Sequence, residues 1–78
     1  MASNLHECTI DAIHNLAESH KKMHDVFLGE LAIAESQTDH DAKMAAVHKA
    51  KDNLQNGYRI AEEAYQAEVE ACKVTYPT

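Results

Sequence analysis

Bulk is what this chain lacks. Its 78 residues hold no tryptophan, one phenylalanine and three tyrosines, and much of the 45% apolar content is alanine. Such side chains fill a single compact core poorly. Below ~70–80 residues a lone core rarely supplies more than ~3–5 kcal/mol. Proline is missing apart from Pro77, and glycine occurs only at Gly29 and Gly57. With so few breakers the chain has little means of turning, which favours long, uninterrupted elements. No apolar run approaches the ~18 residues that a membrane span needs. Basic residues are outnumbered: seven Lys and Arg against thirteen Asp and Glu leave a net charge of −6. A surface of that sign repels phosphate, which argues against direct nucleic-acid binding and leaves open a protein partner with a basic surface. Residues 1–7 show no basic segment followed by an apolar one, so no cleavable signal is read there. Two cysteines without such a signal suggest a reducing, cytoplasmic setting, although export by a route that reads no cleavable signal stays open.

What the chain does have is helical periodicity on either side of one polar break, Glu35-Ser36-Gln37-Thr38-Asp39. Asn4 with Glu7 three residues on has the spacing of a capping box, so a first helix is expected from about 5 to 36. Ile13, Leu16, Met23, Phe27, Leu31 and Ala34 recur in helical steps and mark its main stripe, which Ile10, Ala17 and Leu28 widen on one flank. Cys8, Val26 and Ile33 lie farther round and form a second strip. After a turn at about 37–38, Thr38-x-x-Asp41 opens a second helix running from about 39 to 74, with Lys73 and Pro77 as its stop signals. Its stripe runs Val47, Ala50, Leu54, Tyr58, Ala61, Ala64, Tyr65, Cys72. Glu68 interrupts it. Gly57 sits at its edge and is expected to allow close helix approach.

A short turn makes the two helices antiparallel, so the fold class is all-α, a helical hairpin forming one domain. Folding about residues 37–38 sets Phe27 beside Val47, His20 near Leu54, Leu16 near Tyr58 and Ile13 near Ala61, with large side chains facing small ones. Homodimerisation through Ile13, Leu16, Met23, Phe27, Leu31, Leu54, Tyr58 and Tyr65 would complete a four-helix bundle. That register carries Cys72 past the start of the first helix, while Cys8 points off the main stripe. An intrachain bridge, which needs Cα atoms within ~7 Å, is then out of register, and free thiols are the leading expectation for both cysteines, with a link between chains as the alternative.

Candidate chemistry is sparse. His20 and His24 stand four apart on one helical face, a spacing that can chelate a metal, but no Glu-x-x-His pattern accompanies them and no carboxylate of the second stripe completes a ligand set. They read first as seam residues bonded to Tyr58 or water. Histidines held at an interface would charge in mild acid and loosen an assembly. His14 and His48 point away from the stripes. Glu62, Glu63 and Glu70, with Glu68, Glu7 and Asp11, gather negative charge at one end of the hairpin. No phosphate loop, nucleophile elbow or zinc-finger spacing is present, so no catalytic residue and no cofactor is assigned. The leading expectation is a small acidic, non-enzymatic module that self-associates and regulates or inhibits a larger protein. Its contacts would be Cys8, Val26, Ile33, Glu62, Glu63 and Glu70. Phage- or plasmid-type inhibitors share that architecture, as analogy alone. The alternatives are a structural or secretion-assembly hairpin and a His-based metal-binding bundle.

Overall fold

A computed structural model describes residues 3–77. Two helices account for nearly all of it: α1 spans Leu5–Glu35 and α2 spans His40–Thr75, joined by residues 36–39. The hairpin measures 57 × 16 × 10 Å. Both helices start at side-chain caps. The Glu7 amide donates to Asn4 Oδ1 at 2.9 Å, and the Ala42 amide donates to Asp39 Oδ2 at 2.9 Å. The second cap is therefore Asp39 rather than Thr38; its carboxylate also carries the negative charge that a helix N-terminus favours. At the other end of α1 the Ser36 hydroxyl donates to the Ile33 carbonyl at 2.6 Å. No glycine is needed there, because Ser36 keeps right-handed helical angles.

The helices lie antiparallel, as the short connection requires, but their register differs from the one obtained by folding about residues 37–38. Met23 packs at Gly57, His20 meets Tyr58, and Cys8 joins Cys72. Relative to the expected pairing, α2 is displaced by four to six residues, which is between one and two helical turns. The cause is the connection. It carries the chain past the end of α1 before α2 begins, so the first turn of α2 overhangs.

The seam is built from small residues. Among the described residues the buried ones are Ala12, Ala34, Ala50, Ala61 and Cys72. Leu16, Met23, Phe27, Leu31, Leu54, Tyr58 and Tyr65 are only half-buried beside them. Ile13, expected on the main stripe, is 49% exposed, and Ala12 takes its place. Alanine at the contact positions lets two backbones approach closely, and larger side chains then splay to the flanks. Gly57 serves the same end: a Cβ there would lie 2.8 Å from Met23 Sδ.

Cys8 and Cys72 form a disulfide, with Cα atoms 5.8 Å apart across the seam. The expectation of two free thiols was therefore wrong. Tracing the stripe through bulky Ile13 turned Cys8 away from α2; tracing it through Ala12 turns Cys8 toward α2. The bond staples the open end of the hairpin, 64 residues apart in sequence.

Candidate interaction surfaces

A seam between two antiparallel helices has two sides, and here they differ. On one side the helices are strapped by polar contacts. Asn15 Nδ2 donates to Glu68 Oε2 at 3.2 Å, and Asn53 Nδ2 donates to Glu30 Oε2 at 3.3 Å. Glu68, the least expected residue of its stripe, thus has a partner on α1. The disulfide belongs to this side as well. Between the straps lies a shallow depression of about 180 Å³ bordered by Lys22, Val26, Phe27 and Leu54. A second, of about 430 Å³, lies beside the disulfide between Asp11, Asn15 and Thr75.

On the other side the flank of α1 is largely apolar. Helical spacing places Ile10, Ile13, Ala17, Leu28 and Leu31 along that flank of α1. A ring contact crosses between the helices there: His20 and Tyr58 have centroids 4.7 Å apart at a 59° tilt. His20 Nε2 is buried and makes no hydrogen bond among the described residues. The contact with Tyr58 is thus ring to ring at a tilt, with no hydrogen bond from Nε2. Ile13 and Leu28 are each 49% exposed on this flank.

Other candidates from the sequence fall as follows. His24 is exposed, one turn from His20, which is turned into the seam. Among the described residues no three His, Cys, Asp or Glu side chains come together as a ligand set. His14 and His48 are exposed. Val26 and Ile33 are 59% and 66% exposed on the strapped side. Cys8, expected with them as a contact residue, is instead tied into the disulfide.

The acidic end is partly neutralised within α2. Arg59 Nη1 lies 2.9 Å from Glu63 Oε1 and Lys73 Nζ lies 3.4 Å from Glu70 Oε1. Both pairs are solvated, where such contacts contribute about 0–1 kcal/mol. Glu62 has no ion pair among the described residues. No family model, no curated protein and no solved structure matches the chain. Its surfaces have to be read on their own chemistry.

That chemistry is one of incomplete burial. Among the described residues eight large apolar ones are exposed: Ile10, Ile13, Val26, Leu28, Ile33, Met44, Ile60 and Val74. The accessible surface is 5687 Å². A compact monomer of this mass would show about 4,700 Å². The hairpin thus presents about 1,000 Å² more than a globule would, close to the ~800 Å² that each partner buries in a standard protein interface. No helix among the described residues is long and apolar enough to cross a membrane.

Proposed function

We propose that this chain is a non-catalytic protein-interaction module that self-associates and, through a remaining helix face, regulates a larger protein. One observation carries the reading: among the described residues the buried set is four alanines and one half of a disulfide, while eight large apolar side chains face outward. Scattered exposed leucines and isoleucines are ordinary, but a contiguous apolar flank on a small helical surface marks an interaction site. Homodimerisation would supply what the hairpin lacks, closing the apolar side as a four-helix bundle. The acidic end, with Glu62 unpaired among the described residues, and the Val26–Ile33 strip are then the surfaces left for a second protein. Negative charge there favours a basic partner.

The disulfide bears on where such a module works. The cytoplasmic expectation rested on two cysteines without a cleavable signal, and the Cys8–Cys72 bond weighs against it. Structural disulfides persist in oxidising settings and are rare in the cytosol. An oxidising compartment suits this hairpin better, and the reading of a structural or export-linked subunit gains weight with it.

Native mass spectrometry of the oxidised chain tests the self-association. A dimer at low micromolar concentration is the expected result. Full helicity in a species that stays monomeric there would refute this part of the reading. Open-ended growth in light scattering would favour a polymerising structural subunit over a closed dimer.

A further inference from the structure

The apolar flank of α1 reads the same in both directions. Its residues are His6, Ile10, Ile13, Ala17, then His24, Leu28, Leu31, Glu35, with His20 and Lys21 between. The intervals about that midpoint mirror one another. Laid antiparallel on a second copy, with the two-fold axis between residues 20 and 21, Ile10 meets Leu31, Ile13 meets Leu28 and Ala17 meets His24. His6 meets Glu35 at both ends. We propose that the occupant of this flank is a second copy of the chain, packed α1 against α1 in this antiparallel register. The inference rests on the self-association reading above and adds the face, the orientation and the residue pairs.

Four features favour it. The axis falls at the middle of α1, which spans Leu5–Glu35, so the two helices overlap along their whole length. The four outer two-fold pairs are apolar with apolar, small with large, or imidazole with carboxylate; at the axis His20, turned into its own seam, falls opposite Lys21. A parallel arrangement would instead set Glu35 against Glu35 and His6 against His6. The flank is on the side of the seam away from the Asn15–Glu68 and Asn53–Glu30 straps, so docking breaks neither. The surplus accessible area matches what a standard interface removes from each partner. At the centre Lys21 lies near the axis. Its long stem can lie along the apolar surface while the ammonium turns to water.

Paired charges at one contact are the test, with the oxidised full chain throughout. Ile13→Glu and Leu28→Lys are each expected to raise the dimer Kd by about tenfold or more in sedimentation equilibrium, since each puts a charge against an apolar partner. In the double variant Ile13→Glu/Leu28→Lys, every new carboxylate at position 13 faces a new ammonium at position 28 of the other copy. Most of the lost affinity should then return. Residues 13 and 28 are too far apart on one helix to pair within a chain. Circular dichroism keeps the comparison to folded species; both sites are half-exposed, so helicity should hold. Loss in both single variants without recovery in the double would overturn the register. A wild-type dimer indifferent to both substitutions but lost on Val26→Glu or Ile33→Glu would overturn this face and leave self-association standing. A wild-type monomer would sink both.

Discussion

The two glycines of this chain have opposite reasons to be where they are. Nothing lies within 4 Å of the space a Cβ would occupy at Gly29, whereas at Gly57 that space is filled by Met23. Gly29→Ala should therefore stabilise the hairpin by about 1 kcal/mol, the ordinary helix-propensity gain. Thermal unfolding should show a rise of about 4–8 °C for that change in a domain of this size. Gly57→Ala gains the same propensity but must displace the Met23 thioether, so its melting temperature should fall below that of Gly29→Ala. Glu7 provides a second test. The Ser3 hydroxyl and amide donate to its carboxylate at 2.8 and 3.1 Å and hold its pKa below the usual 4.5. A lowered carboxyl pKa means stability that is present above the ordinary value and is lost as pH falls through the folded one. The start of α1 should thus fray in acid below about pH 4.5, read as lost amide protection at Cys8 and Thr9, and Ser3→Ala should lessen the effect. At this scale the sequence was partly legible. The Asn4 cap and the close approach at Gly57 follow from residue type and spacing. Ala12 in place of Ile13 does not, because ranking by apolar bulk selects the larger neighbour, while close-packed helices select the smaller.

Element boundaries depend on caps, and the second helix shows how narrowly. Thr38 and Asp39 are both good N-cap types, adjacent in a polar break, and only Asp39 accepts the Ala42 amide. Asp39→Ala should cost about 1 kcal/mol, with Thr38→Ala near neutral. Guanidinium titrations of the two variants would distinguish them, and a larger loss for Thr38→Ala would move the cap back by one. The number, length and antiparallel sense of the helices were all readable from one break, one terminal proline and two stretches of helical periodicity. The register was not. A displacement of one or two turns along a helix preserves much of an apolar stripe, so pattern alone barely separates one pairing from the next. What fixes it here is a pair of long-range particulars, Met23 at Gly57 and Cys8 at Cys72. The apolar flank of α1 was visible as a widening of the stripe. Its role as an open surface was not, because that depends on which side of the seam the polar straps occupy.

For the molecule as a whole, the covalent staple replaces much of what a larger core would provide. Closing 64 residues of chain removes unfolded-state entropy corresponding to about 4 kcal/mol of stability. That is comparable to the whole contribution expected of a core this small. Reduction, or the Cys8→Ser/Cys72→Ser variant, should lower stability by about that amount, read as the fall in urea midpoint with and without reductant. A midpoint that does not move would mean that helix packing holds the hairpin alone. The same bond gives the polypeptide a topology that neither helix has by itself. From Cys8 through the turn to Cys72 the backbone is a closed ring. Opening a ring once does not divide it. A protease that cuts in the Ser36–Asp39 turn would leave α1 and α2 as one molecule on a non-reducing gel and release two peptides only when thiol is added. The turn can therefore be severed without the helices losing each other, and a nicked chain would still present both faces of the hairpin.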